Sequence, residues 1–262
     1  MSDAPLASAW RGLRARGRTA LIPYLTAGHP TPAAHLEALK RAEPHADILE
    51  VGVPFSDPLA DGPVIQRSSF TALARGMTLP RTLELIREAK LTKPVVLFSY
   101  LNPVRKYGIE RLLAEAPELG IAGLLLTDLP AGGDPALEQA VQGSAVDLIR
   151  LVAPTTSPER MRQVLTGARG FVYVVARLGV TGMSQGVSGD LNATVARVRA
   201  ATDLPVAVGF GISTADQARQ VARVADGVVV GSALVDRLER EGPAGMATLL
   251  SGLRAALDEG KA

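Results

Sequence analysis

The sequence predicts a (β/α)8 barrel of the α/β class, and three observations carry the prediction. Eight short apolar runs recur along 262 residues, rich in Val, Ile and Leu on both faces, as parallel strands buried on both sides are. Helix-start signals and helical apolar spacing fall between them. The chain has the usual length of one such barrel, about 250 residues, and no linker or low-complexity stretch divides it. Eight strand–helix repeats with right-handed crossovers favour closure. An open doubly wound sheet is the competitor. It would want a glycine-rich dinucleotide loop after the first strand, where the chain has Thr26-Ala27-Gly28-His29-Pro30, and neither G-x-G-x-x-G nor G-x-x-x-x-G-K-[ST] occurs. The expected organisation is one domain over residues 1–262, with a helix in 1–18 capping the barrel bottom.

The first element is that helix: Leu6, Trp10 and Leu13 stand at i, i+4 and i+7, a stripe suited to plugging a barrel. The strand runs follow at 19–28, 46–54, 94–102, 120–130, 146–154, 170–178, 205–213 and 225–234. Between them, Thr31-Pro32 and Ser157-Pro158 each pair a capping side chain with proline at the first helical position. Leu36, Leu39 and Glu43 keep helical spacing, as do Leu83, Ile86 and Lys90. Ser213-x-x-Asp216 resembles a capping box. Ser232 is expected to open a short helix after the last strand.

Composition narrows the chemistry. Hydrophobic residues make up 47% of the chain and charged ones 21%, which suits a sizeable core and rules out disorder as the main state. A net charge of +2 gives no footprint for nucleic acid. The absence of Cys removes disulfides, Cys-based zinc, iron–sulfur clusters and a thiol nucleophile. His29, His35 and His45 show no metal-ligand spacing. The N-terminus has no apolar signal core, and no run approaches the roughly 18 apolar residues of a membrane span, so a cytoplasmic protein is expected. Of the five lysines (Lys40, Lys90, Lys93, Lys106, Lys261), none falls in a strand run, which leaves a Schiff-base aldolase without its nucleophile.

In such a barrel the active site lies at the C-terminal ends of the strands. Glu50 stands out there, because period-two alternation puts Ile48, Glu50 and Gly52 on one face and Leu49, Val51 and Val53 on the other. A carboxylate among apolar neighbours has its pKa raised into the range of acid–base catalysis, unless a structural partner holds it. Asp57 and Asp61, in Pro54–Pro63, taken alone read first as turn residues and only second as functional ones, and Asp128 does the same after the fourth strand. Tyr100 and Tyr173 near strand ends suit either the site or core packing. The segment 178–189 carries four glycines in twelve residues, as a lid or a plain connector would. Gly209-Phe210-Gly211 and Gly231-Ser232 end the last two strands with small residues, where barrels commonly bind phosphate beside a helix N-terminus. The reading that remains is carboxylate acid–base chemistry on a phosphorylated small molecule.

ADILEVGVPFSDPLADGPVIQ (46–66) resembles the signature of the tryptophan synthase alpha family, with IPYLTAGHP (22–30), RLGVTG (177–182), GFGIS (209–213) and VGSALV (230–235) matching in the same order. The resemblance spans essentially the whole chain. It implies retro-aldol cleavage of indole-3-glycerol phosphate to indole and D-glyceraldehyde 3-phosphate. It implies Glu50 as the general acid–base, Asp61 as the carboxylate at the indole N–H, and Tyr173 in support. Tyr24, Ile65, Phe98, Tyr100 and Leu125 fall where the family lines its indole pocket. Gly182, Phe210, Gly211, Gly231 and Ser232 fall on the phosphate site, and Thr181 matches a lid threonine that meets Asp61. Tyr24 replaces a frequent Phe, and Ala176 stands where Ser is common. The resemblance also implies an αββα heterotetramer with a β subunit that carries pyridoxal phosphate, no cofactor in this chain, and partner contacts through Pro54–Pro63 and Tyr100–Gly108. Two alternatives stand beside it. A phosphosugar isomerase of related barrels would need carboxylates ending strands one and five, where the chain has Leu25-Thr26-Ala27 and Leu151-Val152-Ala153. A non-catalytic subunit that binds the phosphate ligand and tunes its partner would not need both Glu50 and Asp61.

Overall fold

The computed structural model describes residues 4–175, 185–209 and 211–259. Eight parallel strands close into a barrel in chain order: β1 (Ala20–Thr26), β2 (Leu49–Gly52), β3 (Val95–Ser99), β4 (Ile121–Leu126), β5 (Asp147–Val152), β6 (Val172–Val175), β7 (Val206–Gly209) and β8 (Gly227–Val230). Each lies inside a predicted apolar run. Closure is made by β1 against β8, with Ala20 opposite Gly227 and Pro23 opposite Val230.

Alternation along the strands separates two apolar layers. Leu49, Val51, Leu97, Leu124, Leu148 and Val208 face outward under the helices, while Ile22, Ile48, Val96, Leu125, Ile149 and Ala207 fill the barrel. Helix α1 (Pro5–Ala15) closes the bottom, with Leu6, Trp10 and Leu13 buried in the inner layer and the Trp10 ring 5.6 Å from that of Phe171. At the same end, Asp47 accepts from the Leu21 N–H and meets Arg254, which also donates to the Thr19 carbonyl. That buried charge cluster ties the C-terminal helix to the start of β1.

The helices begin where their caps dictate. Thr31 accepts from the Ala34 N–H ahead of α2 (Pro32–Ala42), and Ser157 from Arg160 ahead of the helix Pro158–Leu165. The expected box at Ser213 sits one residue later. Thr214 is the cap and Gln217 its reciprocal partner, because T-A-D-Q places an amide long enough to reach back to the cap N–H where Asp216 would be too short. The helix opened by Ser232 is short as expected, ending ahead of Gly242 (φ 72°), and a second helix runs on from Pro243 to Glu259. Among the described residues, no helix is long and apolar enough to cross a membrane.

Candidate active site

Glu50 lies on β2 in register with Tyr24 of β1 and Val96 of β3, its side chain turned into the barrel mouth by the same alternation that sends Leu49 and Val51 outward. It is 1% exposed, and neither carboxylate oxygen has a hydrogen-bond partner among the described residues. Burial alone pushes its pKa up from 4.5 to about 8. Glu50 is therefore mostly a neutral acid at pH 7.

Asp61 reaches the same cavity from the loop between β2 and helix α3 (Pro63–Ala74). That loop is held by its own turns (Asp61 N–H to Pro58 carbonyl, 3.1 Å) and by Gln66, whose amide donates to the carbonyls of Pro58 and Asp61. Burial raises the Asp61 carboxyl to about 6, against a hydrogen bond from Tyr100 that pulls it down. The two carboxyls are thus pushed apart, and at pH 7 one is mostly protonated and the other mostly ionised. Divergent environments of this kind separate an acid from an electrostatic stabiliser.

Two phenols flank Glu50, and each depends on a glycine of the neighbouring strand. A Cβ on Gly52 would lie 2.1 Å from the Tyr24 hydroxyl, and one on Gly209 would lie 2.2 Å from that of Tyr173. Tyr24 meets Phe98 edge-on, centroids 5.3 Å apart at 78°, and with Ile65 these rings make the apolar wall. Gly211, Gly231 and Ser232 line the same cavity, with Gly231 against the Tyr24 ring. Ser232 opens the helix after β8, so the first amides of that helix have no intrahelical acceptor and its positive end faces the cavity. No Lys or Arg lines the cavity among the described residues, so an anion there depends on backbone N–H groups and the Ser232 hydroxyl.

The remaining expected residues divide. Leu125 is fully buried in the layer below the cavity, and Tyr100 lies beyond the end of β3 with its hydroxyl on the Asp61 loop; neither lines the cavity. Asp128 accepts the Leu101 N–H at 2.7 Å, at the start of the helix after β3, and Asp57 accepts the hydroxyl of its neighbour Ser56. Thr181, Gly182 and Phe210 lie outside the described residues. Residues 178–184 of the glycine-rich segment 178–189 lie outside the described residues. A helix begins at Gln185, because Leu191, Val195 and Val198 give that stretch a buried helical face. Residues not anticipated are Gly62 and Val229, which line the cavity, and the pair Thr26–Ser68, whose hydroxyls meet at 2.7 Å behind Tyr24. Val229 was within reach of the period-two rule on the last strand. Thr26 and Ser68 meet only because α3 packs over β1.

An eight-stranded barrel with a neutral buried acid and an ionised carboxylate at the strand ends is a barrel enzyme of the acid–base class. A family model, "Tryptophan synthase alpha chain", matches residues 10–255. The tryptophan synthase alpha chain of Synechococcus elongatus is 44% identical over 257 residues, covering 97% of each chain. The structure of the alpha subunit from Legionella pneumophila superposes with a TM-score of 0.89 at 34% identity, covering 98% of this chain and all of that one. A structure of tryptophan synthase from Mycobacterium tuberculosis gives 0.86 at 36%, covering 97% and 99%. The chain belongs to the tryptophan synthase alpha chain family, and its reaction is the alpha, lyase reaction of tryptophan biosynthesis.

Proposed function

We propose that the substrate is indole-3-glycerol phosphate and that Glu50 and Asp61 divide the work of cleaving it to indole and D-glyceraldehyde 3-phosphate. The observation that carries this reading is the pair of carboxyls on one cavity with pKa values pushed to about 8 and about 6. Indole is a poor carbanion leaving group, so C3 is protonated first. Neutral Glu50 gives its proton to C3, and the positive charge that appears on the ring nitrogen is met by ionised Asp61. The Glu50 carboxylate then takes the proton of the hydroxyl on the adjacent glycerol carbon. The C–C bond breaks, its electrons restore the indole ring, the aldehyde forms, and Glu50 is protonated again.

The phosphate is read as seated at Gly211, Gly231 and Ser232, with Gly182 and Phe210 completing the site, and Thr181 as the lid threonine that meets Asp61. Tyr24, Ile65 and Phe98 hold the indole face, and Tyr173 packs beside Glu50. The partner is read as a β subunit that carries pyridoxal phosphate, in an αββα assembly in the cytoplasm, and this chain needs no cofactor of its own. Two features support a docking face at the expected segments: Leu59 is 93% exposed, and Pro54, Phe55, Pro103 and Tyr107 border an apolar groove of about 500 Å³. The test is indole release from indole-3-glycerol phosphate by the purified chain, alone and with the β subunit. Release that rises with the partner supports the reading. Binding of the phosphorylated substrate without release under either condition would move the chain to a regulatory role.

A further inference from the structure

We infer that Tyr100 is a positioning residue for the reaction, a bracket that holds both ends of the β2–α3 loop and aims the Asp61 carboxylate into the cavity. The inference rests on the assignment of Asp61 above. Two contacts of one side chain carry it. The Tyr100 ring stacks on Phe55 at the start of the loop, centroids 4.8 Å apart and 28° between planes. Its hydroxyl accepts the Ala60 N–H at 3.0 Å near the loop's end. That bond sets the hydroxyl next to Asp61, whose ionised form it favours. Between these anchors the loop bulges outward, with Leu59 93% exposed, and its other ties, the Asp61–Pro58 turn and the Gln66 amide, hold backbone and leave the Asp61 side chain free of them.

Tyr100 itself is firmly seated. It is 4% exposed and stands at the start of the helix Leu101–Tyr107, whose first amide is held by Asp128. Its phenol is pushed up to about 12, by burial first and the Asp61 charge second, so it remains a donor at every working pH. Tyr24, Glu50 and Tyr173 are the other titratable groups facing Asp61 across the cavity, and no Lys or Arg joins them among the described residues. Among the described residues, Tyr100 is thus the one side chain that favours the ionised form of Asp61.

A wall residue and a positioning residue fail differently. Asp61 meets positive charge that exists only after C3 is protonated, so a misaimed Asp61 costs kcat and leaves ground-state binding nearly intact. Loss of indole-wall contact raises KM instead. Tyr100→Phe keeps the ring on Phe55 and removes only the hydroxyl. In steady-state assays with the β subunit present, the expected result is a fall in kcat of about tenfold or more, the worth of a hydrogen bond to a charged group, with KM within about twofold. The acid limb of the kcat/KM profile, set by ionisation of Asp61, should move up by about one pH unit. Thr248→Val, which removes an exposed hydroxyl of the last helix bonded to the Ala244 carbonyl, is the control and leaves that limb in place. Far-UV circular dichroism and the melting temperature establish that Tyr100→Phe is folded. A raised KM with kcat kept, or an acid limb that does not move, overturns the inference. Full turnover in Asp61→Asn would overturn the Asp61 assignment itself, which is a separate result.

Discussion

Glu50→Gln should inactivate the chain and stabilise it, and the stabilisation should grow with pH in a way the burial of Glu50 dictates. In the folded chain the carboxyl titrates at about 8, against 4.5 for an unburied one. Below pH 4.5 both states hold the proton and the group contributes nothing either way. Above it the unfolded chain ionises first, so folded stability is lost progressively as pH rises, and the loss is complete beyond the folded value. At about 1.4 kcal/mol per unit, the penalty is about 1 kcal/mol at pH 5, about 3 at pH 7 and nearly 5 at pH 9. Gln keeps the shape and cannot ionise. Both side chains leave buried polar atoms unpaired, so those costs nearly cancel between the two proteins. Urea unfolding of both, at one-unit steps from pH 5 to 9, measures the difference. It should favour the variant increasingly up to pH 8 and level off above. A difference that stays flat across the range would refute the claim that Glu50 is buried as a neutral acid.

Three further outcomes follow from the same geometry. Gly52→Ala places a methyl 2.1 Å from the Tyr24 hydroxyl, so Tyr24 must move; the expected cost is about 1–3 kcal/mol of stability with a raised KM for substrate, and unchanged values of both would contradict the tight fit. His35 is fully buried, neither ring nitrogen has a partner among the described residues, and burial holds its pKa at about 3. The unfolded chain therefore binds its proton first, and stability should fall as pH drops below 6.5, by about 2 kcal/mol at pH 5, a loss that His35→Leu should remove in urea titrations. Leu59→Asp puts a charge at the most exposed apolar side chain of the expected docking face; isothermal titration with the β subunit should show affinity reduced about tenfold or more, while the melting temperature of the isolated chain stays put.

The fold was legible because burial on two faces writes itself into sequence as continuous apolar runs, and each barrel strand is such a run. Caps at Thr31 and Ser157 were legible for a local reason, a capping oxygen followed by proline. The box near Thr214 slipped by one residue because two hydroxyls stand side by side there, and the length of the Gln217 side chain decides between them. Glu50 was visible as a carboxylate at an inward position of an otherwise apolar strand. Tyr100 and Leu125 were harder. Whether a residue near a strand end meets the cavity, the layer beneath it or a neighbouring loop depends on strand tilt and on the path of the β2–α3 loop, neither of which is local. The meaning of Asp128 was undecidable from spacing for the same reason, since the amide it holds belongs to a helix after a different strand.

The most direct test of the central claim is the pH profile of indole release from indole-3-glycerol phosphate, measured for the wild-type chain and Glu50→Gln with the β subunit present. The account predicts a bell for the wild type, with Asp61 setting an acid limb near 6 and Glu50 an alkaline limb near 8, and loss of release in the variant at every pH. A wild-type profile with no alkaline limb, or a variant that still releases indole at the wild-type rate, would contradict it.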